Sequence, residues 1–198
     1  MNLANKLTIF RIILVPIMVV FAYIPINGDV YGIAIPMLIM EAIFIIASIT
    51  DKLDGYIARS RNQVTTFGKF LDPLADKILV LSAMVILVEM GKLPAWIPII
   101  VLAREFIVSG YRLIAVEKGG VVIAASVWGK IKTVTQMIAL ISAFVDIGAF
   151  FSFINGGLSG VYLIINIVTS VMMLVSTIAT IFSGIDYIWK GRKILSDK

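Results

Sequence analysis

The chain alternates long apolar stretches with short polar breaks. Six apolar segments can be read, at about 7–24, 33–59, 72–90, 94–117, 127–149 and 159–189. A helix needs roughly 20 mostly apolar residues to cross a bilayer, and each segment is near or above that length. The breaks hold ordinary helix terminators: Pro25 with Asn27-Gly28, Gly91, Gly119-Gly120 and Asn155-Gly156-Gly157. The pattern predicts an all-α chain, an integral membrane bundle of six transmembrane helices. Residues 1–198 read as one membrane domain, without internal repeats or low-complexity tracts. MNLANKLTIFR makes a poor signal peptide, because its apolar stretch runs on and no clear small-residue cleavage site follows. It is expected to remain, as a short interfacial segment entering a retained first span.

The polar positions add an orientation. Lys6 and Arg11, then Arg59, Arg61, Lys69 and Lys77, then Arg112, Lys118, Lys130 and Lys132, and finally Lys190, Arg192, Lys193 and Lys198 fall around alternate breaks. The opposite breaks hold only Lys92. Cytoplasmic loops carry the Lys/Arg excess. Both termini and the 51–77 connector are therefore expected on the cytoplasmic face of a plasma membrane, with a bacterial host expected. Composition agrees: the chain is 60% hydrophobic and 15% charged, against about 45–50% and 25% for a soluble domain. The net charge of +5 follows from this topology bias, and no nucleic-acid partner is expected. The absence of cysteine excludes disulfides and thiolate metal sites. With no histidine either, acid–base chemistry near neutral pH falls to a carboxylate, Lys or Tyr.

The chemistry gathers in DKLDGYIARSRNQVTTFGKFLDPLADK, residues 51–77. On helices, Asp51 and Asp54 lie roughly 60° apart and Asp72 and Asp76 roughly 40° apart, so each pair shares a face. A short connector joins the two helices, and the four carboxylates can converge at the cytoplasmic mouth. Ionised carboxylates repel one another and are costly near a bilayer. Oxygen-only ligation suits hard cations such as Mg²⁺, Mn²⁺ or Ca²⁺, and two such ions can clamp an in-line phosphoryl displacement. A solvated acidic and basic loop is the simpler alternative, against which the i,i+3 and i,i+4 spacing speaks. Asp72 before Pro73 also reads as a helix N-cap followed by a first helical residue. Gly55 and Ala58 on the Asp51/Asp54 side would allow close approach of a substrate or a helix. Arg59 could bind phosphate in a bidentate manner.

Written as Asp51-x2-Asp54-Gly55-x2-Ala58-Arg59-x8-Gly68-x3-Asp72-x3-Asp76, this stretch resembles the signature of the CDP-alcohol phosphotransferase family at every fixed position. Eight specified residues at fixed spacing arise by chance on the order of once in 10⁹ positions at average residue usage. Six spans in a chain of this length match the family core as well. The resemblance implies that an alcohol hydroxyl attacks the lipid-linked phosphate of a CDP-activated lipid and releases CMP. It implies two divalent cations, Mg²⁺ or Mn²⁺, with Asp51, Asp54, Asp72 and Asp76 as ligands. Asp76 is also implied as the base. Gly55, Ala58 and Arg59 would meet the nucleotide and pyrophosphate. Asn5-x2-Thr8-x2-Arg11 resembles the start of the family's first span, with Asn5 and Thr8 lining the nucleotide pocket; it can also be read as a polar interfacial helix end. The resemblance further implies a homodimer.

The acceptor pocket is expected among the remaining polar residues of the spans: Arg104, Ser109, Arg112, Lys130 and Lys132. Arg112, Lys130 and Lys132 could instead snorkel to the interface. Glu105 follows Arg104 but points about 100° away on a helix, which does not guarantee a pair. A basic half beside the carboxylates suggests an anionic acceptor. These segments resemble the branch of the family that joins CDP-diacylglycerol to sn-glycerol 3-phosphate. Inositol phosphate fits the same charge logic and serine fits it less well. Two other classes would also place aspartates in such helices: an intramembrane prenyltransferase and a cation transporter. The glycine and arginine spacing speaks against the first, and the lack of repeats speaks against the second. Glu89 and Asp146 are expected to be wetted helix ends at the far interface, and Asp186 is expected to pair with a Lys or Arg.

Overall fold

The computed structural model describes residues 3–60, 66–117 and 126–195. Among these, six α-helices carry the fold: α1 (Leu3–Tyr23), α2 (Ile35–Ser60), α3 (Thr66–Glu89), α4 (Trp96–Glu117), α5 (Val127–Val145) and α6 (Gly160–Leu195). Each falls on one of the six apolar segments. The all-α expectation needs one small amendment. A two-residue antiparallel ladder, β1 (Asp29–Val30) with β2 (Ile33–Ala34), closes the turn between α1 and α2. Short polar and glycine-containing turns favour such hairpins. From Leu3 onward the residues of the expected N-terminal interfacial segment are helical and continuous with the rest of α1.

Helix ends follow local chemistry. Gly91 has φ +69° and ends α3. Lys92 N–H bonds the Leu87 carbonyl at 2.9 Å and Gly91 N–H bonds that of Val88 at 3.0 Å, the paired bonds of a Schellman cap. Ser126 caps α5, its hydroxyl accepting from Gly129 N–H at 3.3 Å. α3 starts earlier than its expected first residue, so Asp72 and Pro73 lie inside the helix and Asp72 is no N-cap. A proline biases the preceding residue away from helix without forbidding it. Here α3 packs along α1, and that packing outweighs the bias.

α5 packs along α6 and α1 along α2, while α4 also rests on α6. Met18, Met40, Phe44, Leu79, Met84, Leu87, Leu140, Phe144 and Met173 fill the centre, with the rings of Phe44 and Phe144 5.8 Å apart. The outer surface is apolar as well. Along α6, Ile164, Val171, Val175, Ile178, Ile181 and Ile185 are exposed, whereas Asn166, Ser170, Ser176, Thr177, Thr180 and Ser183 are buried. Small and polar residues inside, with branched aliphatics outside, is how helices pack where lipid is the solvent. Thr177 and Thr180 satisfy their hydroxyls on carbonyls one turn back, at 2.8 and 2.7 Å. Among the described residues, two helices are long and apolar enough to cross a membrane, over Asn5–Tyr23 and Gly160–Arg192. These features make the chain a membrane protein.

At the end of the bundle where α5 meets α6, Asp146 is buried rather than wetted. Its carboxylate accepts from Asn166 Nδ2 at 2.8 Å and from Gly148 N–H at 2.9 Å, and Lys92 donates to its carbonyl. Asn166 Oδ1 and Ser170 Oγ accept from Phe153 and Phe151 N–H at 2.8 and 2.9 Å. This network ends α5 at Val145 and plugs the loop before α6. Glu89 is exposed, as expected, and accepts from Tyr23 Oη at 2.6 Å. Asp186 pairs with Lys190 at 2.8 Å.

Candidate active site

The sequence-predicted carboxylates stand on neighbouring helices, Asp51 on α2 and Asp72 and Asp76 on α3. α1 supplies partners for the first two. Arg11 Nη1 lies 2.8 Å from Asp51 Oδ1, and Arg11 Nε donates to the Ala47 carbonyl at 3.3 Å. Thr8 Oγ1 donates to Asp72 Oδ1 at 2.7 Å. Asn5, Thr8 and Arg11 are all buried, Arg11 completely. Thr8 and Arg11 therefore sit against the carboxylates, and the buried trio is not a wetted helix end.

Asp76 opens into a cleft that it shares with Lys77, Val80, Leu81, Val101, Glu105, Lys132, Thr133, Gln136 and Met137. Asp51 and Glu105 repel its charge, while Lys132 and Arg11 attract it. The basic half of the cleft is organised around Glu105. Its Oε1 takes Arg104 Nη1 at 2.9 Å and Lys132 Nζ at 2.7 Å. Its Oε2 lies 3.7 Å from Lys77 Nζ, and Lys77 also donates to Ser109 Oγ. Arg104 Nη2 reaches across to Ser183 Oγ on α6 at 2.6 Å.

Of the expected acceptor residues, Lys132 lines the cleft with Asp76, while Arg104 and Ser109 are linked to it through Glu105 and Lys77. Arg112 is engaged elsewhere: its Nε donates to Tyr187 Oη at 3.0 Å, with the guanidinium carbon 5.7 Å from the ring centre. Lys130 is exposed on the first turn of α5. Asp54, Gly55, Ala58 and Arg59 belong to α2, but their side chains lie outside the described residues. Among the described residues, no three acidic side chains gather closely enough to hold a metal ion unaided. The donor chemistry nevertheless suits a hard cation. The available ligands are carboxylate oxygens, and Asp51 and Asp76 repel each other, which a divalent ion would relieve.

Residues 1–182 match the family model described as CDP-alcohol phosphatidyltransferase. The chain belongs to that family. Among similar CDP-alcohol phosphatidyltransferases, the CDP-diacylglycerol–glycerol-3-phosphate 3-phosphatidyltransferase of Bacillus subtilis is 49% identical over 145 residues, covering 70% of this chain and 74% of that protein. The Haemophilus influenzae protein of the same name is 39% identical over 201 residues, covering 99% and 96%. The Escherichia coli K12 protein of that name is 41% identical over 143 residues, covering 70% and 74%. Glu105 and Lys77 are residues of the cleft that sequence reasoning did not single out as site residues. The offset of Glu105 from Arg104 on a helical wheel left their pair unguaranteed. The signal that could have found it is an acidic residue inside a span, with Arg beside it and Lys on the adjacent helices.

Proposed function

We propose that this enzyme transfers the phosphatidyl group of CDP-diacylglycerol to sn-glycerol 3-phosphate, giving phosphatidylglycerophosphate and CMP. The observation that carries the reading is the meeting of two unlike halves in one cleft: the carboxylate Asp76 on one side, and Lys77 and Lys132 on the other, with Arg104 joined to them through Glu105. The acceptor hydroxyl oxygen forms a bond to the lipid-linked phosphorus. The bond from that phosphorus to the CMP oxygen breaks, and CMP leaves. The hydroxyl proton passes to the Asp76 carboxylate, the available base type in a chain without histidine. The basic half holds the acceptor's phosphate, with Ser109, Arg112 and Lys130 at its margins. Gly55, Ala58 and Arg59, with Asn5 and Thr8, would take the nucleotide and pyrophosphate.

Asp51, Asp54, Asp72 and Asp76 would hold two divalent cations, Mg²⁺ or Mn²⁺, which supply charge stabilisation for the pyrophosphate when bound. The remaining work belongs to the chain. Arg11 and Thr8 fix the Asp51 and Asp72 side chains, and the cations around Glu105 orient the acceptor. Six transmembrane helices with both termini and the cleft on the cytoplasmic face fit the Lys/Arg distribution. A homodimer completes the proposal; a monomer mass in detergent by light scattering would remove it.

The deciding experiment supplies purified protein with CDP-diacylglycerol, Mg²⁺ or Mn²⁺, and single acceptors. CMP release with sn-glycerol 3-phosphate is expected. Release only with inositol phosphate or serine would overturn the acceptor, and no release with any acceptor would overturn the reaction. Chelation is expected to stop CMP release, and added Mg²⁺ or Mn²⁺ to restore it.

A further inference from the structure

We propose that Glu105 is a positioning residue, which holds Lys77, Arg104 and Lys132 as one assembled cradle for the acceptor's phosphate. This rests on the glycerol-phosphate reading above. Three cations from three helices converge on a single carboxylate: Lys77 from α3, Arg104 from α4 and Lys132 from α5. The side chains of Arg104, Lys132 and Glu105 are 14%, 11% and 15% exposed, so none of these charges is well solvated by water. A buried cation without a counter-charge is strongly unfavourable. Between substrates, Glu105 supplies that counter-charge to all three.

The charge count gives the arrangement a function. Three cations against the one carboxylate of Glu105 leave an excess of positive charge (3 − 1), which Asp76 in the same cleft offsets only in part, and the remainder favours the anionic phosphate monoester. The two short bonds fall on Oε1, from Arg104 and Lys132. The longer contact, to Lys77, is on Oε2, and Lys77 has a second hold on Ser109. Lys77 follows Asp76 directly in α3, so the least tightly held cation stands next to the proposed base. Without Glu105 the three cations repel one another, and the two lysines swing toward solvent on their flexible stems. The phosphate would then have to assemble its own site.

The test compares wild type, Glu105→Gln and Glu105→Asp as full chains in detergent, with CMP release followed against each substrate in turn. Glu105→Gln is expected to raise the KM for sn-glycerol 3-phosphate about tenfold, the order of one lost charge-assisted contact. The KM for CDP-diacylglycerol should stay within about threefold, and Glu105→Asp should recover part of the loss. An acceptor KM that is unchanged or lowered overturns the proposal. So does an equal loss toward both substrates with a lowered Tm and no recovery in Glu105→Asp, which is the mark of a merely structural ion pair. Calorimetric binding of sn-glycerol 3-phosphate gives a second arm that needs no turnover, with about tenfold weaker binding expected for Glu105→Gln. Equal binding to both proteins overturns the proposal. If wild type turns over a different anionic acceptor, the acceptor identity falls, and the positioning role is judged on that acceptor's KM.

Discussion

At the scale of single residues, the carboxylates carry the most direct consequences. Asp76 is the one that opens into the cleft beside the cations. If it takes the acceptor proton, Asp76→Asn lowers kcat by about 10²–10⁴-fold, the usual worth of a general base. Steady-state CMP release checks this, and near-normal turnover would exclude the role. Thr8 acts one step removed, through its bond to Asp72. Thr8→Val is expected to raise the Mg²⁺ concentration needed for half-maximal activity while a saturating ion restores most of the rate. A variant indifferent to Mg²⁺ concentration would show that Thr8 only packs. Arg112 is exposed and hydrogen-bonded to Tyr187, so Arg112→Ala is expected to raise the acceptor KM less than the loss of Lys132 does; a larger effect for Arg112 would move the pocket toward α6. The aspartates were legible in the sequence because they sit at fixed spacing within a polar island in an apolar chain. Glu105 was not, because two of its three partners, Lys77 and Lys132, come from other helices and only packing brings them to it. Arg11 was legible as a polar position, but its burial against Asp51 was not, since nothing local sets how α1 leans on α2.

At the scale of elements, apolar segment lengths located all six helices, and helix breakers located most of their ends. The misreadings have local physical causes. Asp72-Pro73 has the chemistry of a helix start, yet α3 runs through it. An internal proline leaves the carbonyl four residues earlier without its helical donor, a cost the α1–α3 packing must offset. Asp146 looked like a wetted end, but Asn166 and Gly148 satisfy its carboxylate inside the bundle. That plug is tightly built. A Cβ placed on Gly148 would lie 2.8 Å from Asn166 Nδ2 and 2.9 Å from Leu158 Cδ1. Gly148→Ala therefore forces Asn166 off its partners and is expected to destabilise the protein by about 1–3 kcal/mol, in the range of other overpacking changes. Thermal unfolding in detergent reads this directly, and an unchanged Tm would mean that the loop yields without cost. The acceptor KM should not follow, because the plug shares no residue with the cleft.

At the scale of the whole molecule, the inside-out pattern of α6 and the apolar outer surface make lipid the natural solvent. The proposed orientation puts Lys190 on the cytoplasmic side and Asn155 on the other, and the cysteine-free chain makes that easy to check. Both positions are exposed, so Asn155→Cys and Lys190→Cys each introduce one accessible thiol. In intact cells a membrane-impermeant maleimide is expected to label the first and not the second. The reverse pattern would invert the topology, and labelling of both would rule out a single orientation. The buried Arg11 has a further consequence for how the protein is made. α1 is made before α2, and it carries a guanidinium whose partners include the Ala47 carbonyl and the Asp51 carboxylate, far along the next helix, the carbonyl 36 positions on. Until that part of α2 has been synthesised, the guanidinium lacks those two partners, and a membrane tolerates charge poorly. The two helices are therefore expected to enter the bilayer as a pair, a step of biogenesis that brings Asp51 to its arginine.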